Sequence, residues 1–466
     1  MASSDVMFGV SGFRARVGES FEPTTVTRLA KAFATLIRDA GGKRVVVGRD
    51  TRASGTMAFH AVASGLLGSG VDVWDVGVAP TPTILHATST YDADGSVTIT
   101  ASHNPVEWNG LEFSLRRGRF LTASEHATLK ERFNSAASFN AAWDAQGGLV
   151  SRDDAIPLHL DRVLALPDVD SDAVRRRRFK VVLDAGNGAG SVISPTLLER
   201  LGCEVVRLHC EPDGRFPRAP EPSVESLGDL CHAVLQHRAD IGFAHDSDAD
   251  RLVLVTESGE VVPEEYTFAL VADVLLSRAK RPVVTTVVTG GLLDEIARAR
   301  GVPVIRTPVG VGHVVATMRE VDAAVGGEST GGVIVPGTHL TTDGIAAIVV
   351  ILSGMATLSV TLTEWRNRYR RYHLVKTKIP LTGDADVVSV LDAMLSVYPG
   401  ATIERIDGVR FLWEDAWVSV RPSGTEPILR VFAESPDADI AARLATEAVE
   451  RARNLLAETG KKGVSR

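Results

Sequence analysis

The sequence predicts an α/β protein of several domains, with mixed, mostly parallel sheets, closed by a smaller α+β domain. Three observations predict it. Short apolar runs alternate with helix-patterned segments over most of the chain, the rhythm of strand–helix–strand crossovers and helix-covered parallel sheets. The final stretch breaks that rhythm with several strands joined by hairpin-length links. A length of 466 residues also exceeds one ordinary core and calls for three or four domains.

The elements follow in order. RVVVGRD (44–50), VDVWDVG (71–77) and VTIT (97–100) read as strands, with an amphipathic stretch between the first two. VTIT belongs to an alternating strand that ends at a Ser-His-Asn-Pro loop. FKVVLDA (179–185) turns through GNGAGS into PTLLERLG, where Pro195 suits a first helical turn. CEVVRLH (203–209) is the next strand, and the pattern returns in PVVTTVV (282–288), LLDEIARARG and PVIRTPVG (303–310). WRNRYRRYH (365–373) is a charged connector. After it come LVKTKIPL, a helix, the strand-rich run ATIERIDGVRFLWEDAWVSVRPSGTEPILRVFAE and the closing helix DADIAARLATEAVERARNLLAE. The expected domains are 1–150, 151–255, 256–371 and 372–466.

Composition removes several classes. The hydrophobic share of 44% and charged share of 23% are those of a soluble globular protein. A net charge of -8 gives no general pull toward nucleic acid or anionic lipid. The one basic block, Arg175 to Arg178, is read as a solvated segment ahead of a strand. Cys203, Cys210 and Cys231 are odd in number and lack metal-ligand spacing, which suits free thiols in a reducing compartment. The first residues, MASSDVMFGVSGFRA, show no basic-then-apolar signal pattern. Gly344 to Thr363 carries no charge, but Ser353-Gly354 and three threonines interrupt it, so a buried helix or helix pair is expected rather than a membrane span. The expected location is cytoplasmic.

Four loops carry chemistry. TASHNP (100–105) sets the Ser102 hydroxyl beside the His103 imidazole at a strand end, with Asn104 and Pro105 fixing the turn. In HDSDADRLVLV (245–255), Asp246, Asp248 and Asp250 alternate between two apolar segments, and alternate residues of extended chain share a face. Carboxylates held so close repel by about 4 kcal/mol per pair at an effective dielectric of ~20. They either take up protons or hold a cation, and oxygen-only ligands suit magnesium, manganese or calcium. The spacing also matches a calcium helix–loop–helix as far as Glu257, but Arg251 stands where that loop needs glycine; a solvated acidic turn is the plainer alternative. RPSGTEPILR (421–430) flanks a Ser-Gly-Thr turn with two arginines able to converge on one anion, or forms an ordinary hairpin. GGESTGG (326–332) offers Glu328, Ser329 and Thr330 to sugar hydroxyls, or is a plain turn.

Together the loops favour phosphoryl transfer. A serine beside a carboxylate-bound cation can hold a phosphoryl group whose spreading charge is met by metal and arginine. A phosphatase needs no second phosphate clamp hundreds of residues away, whereas a mutase, which must hold a bisphosphate, does. A dinucleotide fold built on GNGAG (186–190) lacks the full glycine spacing, and Ser11 lacks that of a nucleophile elbow.

FGVSGFR (8–14), GRDTR (48–52), TASHNP (100–105), DSDADR (246–251), GGESTGG (326–332) and RPSGTEP (421–427) resemble, in order, the motifs of the α-D-phosphohexomutases. That resemblance implies three similar α/β domains and a C-terminal α+β domain around one deep cleft, and interconversion of hexose 1- and 6-phosphates. It makes Ser102 the phosphoserine and places magnesium on its phosphate with Asp246, Asp248 and Asp250. His103, Arg14 and Arg251 would line the transfer site. Glu328 and Thr330 would hold the sugar, with His313 of GVGH (310–313) a further contact or merely a helix start. Arg421, Ser423, Gly424, Thr425 and Arg430 would clamp the other phosphate.

Magnesium and a hexose 1,6-bisphosphate, as intermediate and activator, are the implied cofactors. A phosphosugar is the implied partner, without nucleic acid or membrane, in a monomer or homodimer. The sequence departs from the family where a lysine is usual after N-G: here Glu112 follows, a substitute base if burial raises its pKa. Thr330 stands where serine is more familiar, and TTDGI (341–345) lacks a common basic residue. RPSGTEP and GVIVP resemble proteins assigned to glucosamine phosphate, with glucose and mannose phosphates as rivals. A sugar-phosphate-binding relative of low turnover is the alternative of a different class.

Overall fold

The computed structural model describes residues 6–9, 12–135, 139–381, 386–424 and 427–463. The chain forms two compact bodies, Met1–Ala279 with Thr330–Trp365, and Lys280–Ser329 with Arg366–Arg466.

The first body contains two sheets. In the larger, the strand Arg44–Arg49 lies between Asp72–Val78 and Gly95–Ile99, parallel to both, and Trp108–Leu115 returns antiparallel to Gly95–Ile99. The strand Gly12–Arg16 then adds antiparallel to Trp108–Leu115. Val45, Val46 and Val47 are all buried, as expected of a strand covered on both faces. Gly95–Ile99, expected to alternate, is buried at every position for the same reason: it sits inside the sheet. The helix Pro23–Asp39 is capped by Glu22, whose carboxylate accepts the Thr24 and Thr25 N–H groups. It buries Val26, Leu29, Ala30, Phe33 and Ile37 at helical spacing against this sheet's core. Removing a side chain such as Phe33 would cost about 3–5 kcal/mol.

The second sheet runs Glu204–Leu208, Lys180–Asp184, Ile241–His245 and Leu252–Thr256. The first three strands are parallel and the last is antiparallel to its neighbour. Ahead of it, Arg175 to Arg178 are exposed, matching the solvated reading. The uncharged run forms one helix, Gly344–Leu358, followed by a short one, Leu362–Arg366. Ser353-Gly354 does not interrupt the longer helix. The Ser353 hydroxyl accepts the Asp170 N–H, and Gly354 lies so close to Trp365 that a Cβ would come within 2.5 Å of the indole. Among the described residues no helix is long and apolar enough to cross a membrane.

In the second body, Val283–Thr286 pairs in parallel with Val304–Thr307 and Val325–Gly327. A separate antiparallel sheet runs His373–Pro380, Ile428–Ser435, Trp417–Pro422, Val409–Leu412 and Thr402–Glu404. The helices Val387–Met394 and Ala438–Gly463 contribute to its core. The change from crossovers to a meander thus falls where the sequence changes rhythm.

Candidate active site

The serine loop leaves the carboxyl end of the central strand Gly95–Ile99. Ser102 adopts a left-handed conformation, φ 45°, which costs an L-residue about 1–2 kcal/mol unless its neighbours fix it. They do. Its N–H donates to the Thr100 hydroxyl at 2.9 Å, and that hydroxyl donates to Asp50 at 2.7 Å. Its carbonyl accepts from Arg52 and from the Ser247 hydroxyl, each at 2.7 Å. Arg52 is 3% exposed and also reaches the carbonyls of Asn104, Pro105 and Trp108 at 2.7–2.9 Å, while its Nε meets Asp50 at 3.1 Å. Burial raises the Asp50 carboxyl, and Arg52 pulls it back. Asp50 and Arg52 lie in the GRDTR run, but sequence reasoning gave them no role. The signal was there: an acid and a base directly after a strand with an apolar centre, Val45 to Val47, where α/β loops gather.

The acidic loop joins two antiparallel strands, and it is a turn rather than the extended chain the alternating spacing suggested. Ala249 at φ 55° bends it, and the three carboxylates still converge, with ligand oxygens within 4.8 Å of one another. Thr81 donates to Asp248 and Thr342 to Asp250, at 2.7 and 2.8 Å. The GNGAG run buttresses this turn. Ala189 N–H bonds the Ser247 carbonyl, and a Cβ on Gly188 would come within 2.6 Å of that oxygen.

Burial, then repulsion from Asp250 and Asp248, holds the Asp246 carboxyl well above its ordinary range. Burial foremost, then repulsion from Asp250 and Glu112, pushes Asp248 up to about 7. Asp248 Oδ1 and Asp250 Oδ1 are buried without a hydrogen-bond partner. Oxygen-only donors, mutual repulsion and orphaned acceptors fit a hard divalent cation.

The Ser102 hydroxyl lies 3.5 Å from Asp246 Oδ2 and 3.3 Å from His103 Nδ1. Arg251 approaches the same imidazole at 3.2 Å and pairs with Glu221 at 3.0 Å. Arg14 donates to Asn104 Oδ1 at 2.9 Å and pairs with Glu112 at 2.7 Å. Burial raises the Glu112 carboxyl against the pull of Arg14. The structure therefore brings Ser102, His103, Arg14, Arg251, Glu112 and the three aspartates together. Thr330 belongs to the same body, and the Gly331 carbonyl that follows it accepts the Leu252 N–H at 3.2 Å.

The second body carries the other candidates. Glu328 accepts the Gly310 N–H at 3.1 Å, and His313 is exposed in the first turn of the helix Val311–Val321. Arg421 and Arg430 are direct cross-strand partners on the hairpin that leads to Ser423 and exposed Gly424. Thr425 lies outside the described residues. Asp407, which sequence reasoning missed, accepts from Arg421 Nε at 2.7 Å and from the Val309 N–H at 3.0 Å, fastening the turn before His313 to the arginine strand.

Comparison with known proteins gives the family of the chain. Four successive phosphoglucomutase/phosphomannomutase profiles match: α/β/α domain I over residues 5–139, domain II over 157–259, domain III over 263–372 and the C-terminal domain over 376–451. The chain belongs to this family, the α-D-phosphohexomutases, and is an isomerase of the phosphotransferase kind. A "Phosphoglucomutase/phosphomannomutase" of Thermococcus kodakarensis is 41% identical over 92% of this chain and 94% of its own. A "Probable phosphoglucosamine mutase" of Pyrococcus abyssi is 38% identical over 98% and 99%. A crystal structure of a phosphoglucomutase/phosphomannomutase family protein from Burkholderia thailandensis superposes with a TM-score of 0.86 at 28% identity, covering 96% of this chain and 97% of that one.

Proposed function

We propose that the protein interconverts hexose 1-phosphates and 6-phosphates through a phosphorylated Ser102 and a bound hexose 1,6-bisphosphate. The observation that carries this reading is the Ser102 hydroxyl, 3.5 Å from Asp246 at the edge of the acidic triad. In the first half-reaction a sugar hydroxyl oxygen attacks the phosphoserine phosphorus, the bond from phosphorus to Ser102 Oγ breaks, and the hydroxyl proton passes to a base. In the second, Ser102 Oγ attacks the sugar's other phosphate, the bond from that phosphorus to the sugar oxygen breaks, and the base returns the proton to that oxygen, restoring phosphoserine.

A magnesium ion held by Asp246, Asp248 and Asp250 would supply charge stabilisation to the transferring oxygens. Arg14, His103 and Arg251 steady the same oxygens and the leaving serine. Glu112 is the base candidate: burial favours its protonated form, while Arg14 keeps it oriented. Glu328, Thr330 and His313 contact the sugar, and Arg421, Ser423, Gly424, Thr425 and Arg430 hold the phosphate that is not transferred.

The sugar we favour is glucosamine phosphate, supported by relatives of that name at 36–38% identity over nearly the whole chain. Glucose and mannose phosphates form the second reading, supported by the 41% identical relative named for them. Glucosamine, glucose, mannose and N-acetylglucosamine 1-phosphates, assayed with magnesium and a trace of the matching bisphosphate, separate the two. Turnover of glucosamine 1-phosphate with the highest kcat/KM supports the first; exclusive turnover of mannose 1-phosphate selects the second. No turnover with any sugar, with and without magnesium, defeats both. Glu112→Gln should lower kcat and flatten its rise with pH; an unchanged rate at every pH removes Glu112 as the base.

A further inference from the structure

Away from the serine loop, the first body buries a second set of metal-ligating side chains. His159 comes from the helix Ala155–Leu164, and His339 from the loop that follows the short strand Val333–Ile334. Asp343 is the N-cap of the helix Gly344–Leu358. His159 and Asp343 are fully buried, and the His339 side chain is 6% exposed. One ligand atom from each lies within 4.8 Å of the others. The Asp343 Oδ2 atom is 3.0 Å from His159 Nε2 and 3.7 Å from His339 Nε2. Two ligands on a tetrahedral ion at about 2.0–2.1 Å stand about 3.3 Å apart, so these separations already bracket the required one.

Two further features point to a ligand rather than a closed hydrogen-bond network. Both ring nitrogens of His339 are buried without a hydrogen-bond partner, although burying an imidazole in this way is costly. His159 already has a partner for its other nitrogen, with Thr83 Oγ1 2.9 Å from Nδ1, as metal-bound imidazoles usually do. A simple shift of tautomer frees its Nε2 for an ion and turns Nδ1–H toward that hydroxyl.

We propose that His159, His339 and Asp343 form a structural site for a first-row transition ion of the zinc type, chemically distinct from the all-oxygen nest at Asp246. Two imidazoles and one carboxylate suit zinc and not magnesium. His86 packs against both imidazoles, its ring centroid 5.3 Å from that of His159 and 5.9 Å from that of His339. The ion ties together three chain segments. His86 belongs to the helix Thr81–Thr90, whose Thr81 holds Asp248, and Gly344 beside Asp343 bonds the Ala249 carbonyl at 3.3 Å. The site therefore braces the acidic turn from behind.

The test loads the full chain with Zn2+ and measures bound metal, melting temperature and the zinc X-ray absorption spectrum. Wild type should take up one tightly held Zn2+ with imidazole scattering in its first shell. Asp248→Asn, which disables the acidic nest, should keep that ion and its rise in melting temperature. His339→Ala should lose both, with affinity falling by more than the about 10–100-fold typical of second-shell changes. An all-oxygen shell in wild type overturns the proposal without recourse to any variant, so a misfolded His339→Ala does not protect it. Loss of zinc in Asp248→Asn but not in His339→Ala, or no tight uptake at all, overturns it as well. None of these readouts depends on mutase activity.

Discussion

The serine loop and the arginine hairpin both project functional side chains from strand ends, but they hold their charges differently. In the first, Arg52 is 3% exposed, neutralised by Asp50 and bonded to four carbonyls of the loop it supports. In the second, Arg421, 9% exposed, is anchored among the described residues by the Asp407 carboxylate, and the strand leads to exposed Gly424. One arginine is tied to the backbone of the loop it supports; the other is anchored through a side chain. Under the proposed function, the first suits a reaction centre that needs fixed geometry and the second a grip that must accept a sugar in two orientations.

The largest effect that would break this comparison comes from Ser102. Ser102→Gly relieves a left-handed φ that costs about 1–2 kcal/mol but adds unfolded-chain freedom worth about 0.5–1 kcal/mol, so urea unfolding should show stability within about 1 kcal/mol of wild type. Turnover should nevertheless fall by about 10⁶-fold, the scale of removing a covalent nucleophile. Retained turnover would remove Ser102 from the chemistry. Next, Arg52→Met leaves Asp50 buried beside no cation and should destabilise the first body by about 3–5 kcal/mol. A urea midpoint close to wild type would show that the loop does not depend on that arginine.

Arg421→Gln sharpens the contrast. It leaves Asp407 with an uncharged partner, so it should destabilise the second body by about 1–3 kcal/mol, less than Arg52→Met costs the first, and raise KM by about 10–150-fold, the cost of about 1.5–3 kcal/mol for charged hydrogen bonds to phosphate. A fall in kcat alone would place Arg421 at the reacting phosphate instead. The smallest effect concerns a surface pair. Bidentate bonds from Arg119, foremost, hold the Glu125 carboxyl down to about 2 from 4.5. Its contribution to stability is therefore complete above pH 4.5 and lost as pH falls through about 2. The melting-temperature gap between wild type and Glu125→Gln should close over that interval; a gap independent of pH would contradict the assignment.

Much of this was legible in the sequence because local pattern and local chemistry coincide. The apolar runs at 44–50, 179–185 and 282–288 became strands with ends shifted by a residue or two, and the acidic triad came together as its spacing suggested. What the triad's spacing did not reveal was the turn at Ala249, since a left-handed residue between carboxylates has no signature in an alanine. Arg52 was hidden for another reason: its partners are carbonyls of residues 102–108, and backbone acceptors carry no residue identity. The histidine cluster was out of reach because His86 and His159 are far in the chain from each other and from the His339–Asp343 pair, and they meet only when the helices pack.

The most direct measurement is to map the phosphoryl group itself. Protein incubated with hexose 1,6-bisphosphate carrying labelled phosphate and magnesium, then freed of small molecules, should carry one labelled phosphoryl group on the peptide containing Ser102 and pass that label to the sugar when unlabelled hexose 1-phosphate is added. A protein that turns substrate over while its phosphoryl group sits on another side chain, or on none, would contradict the account.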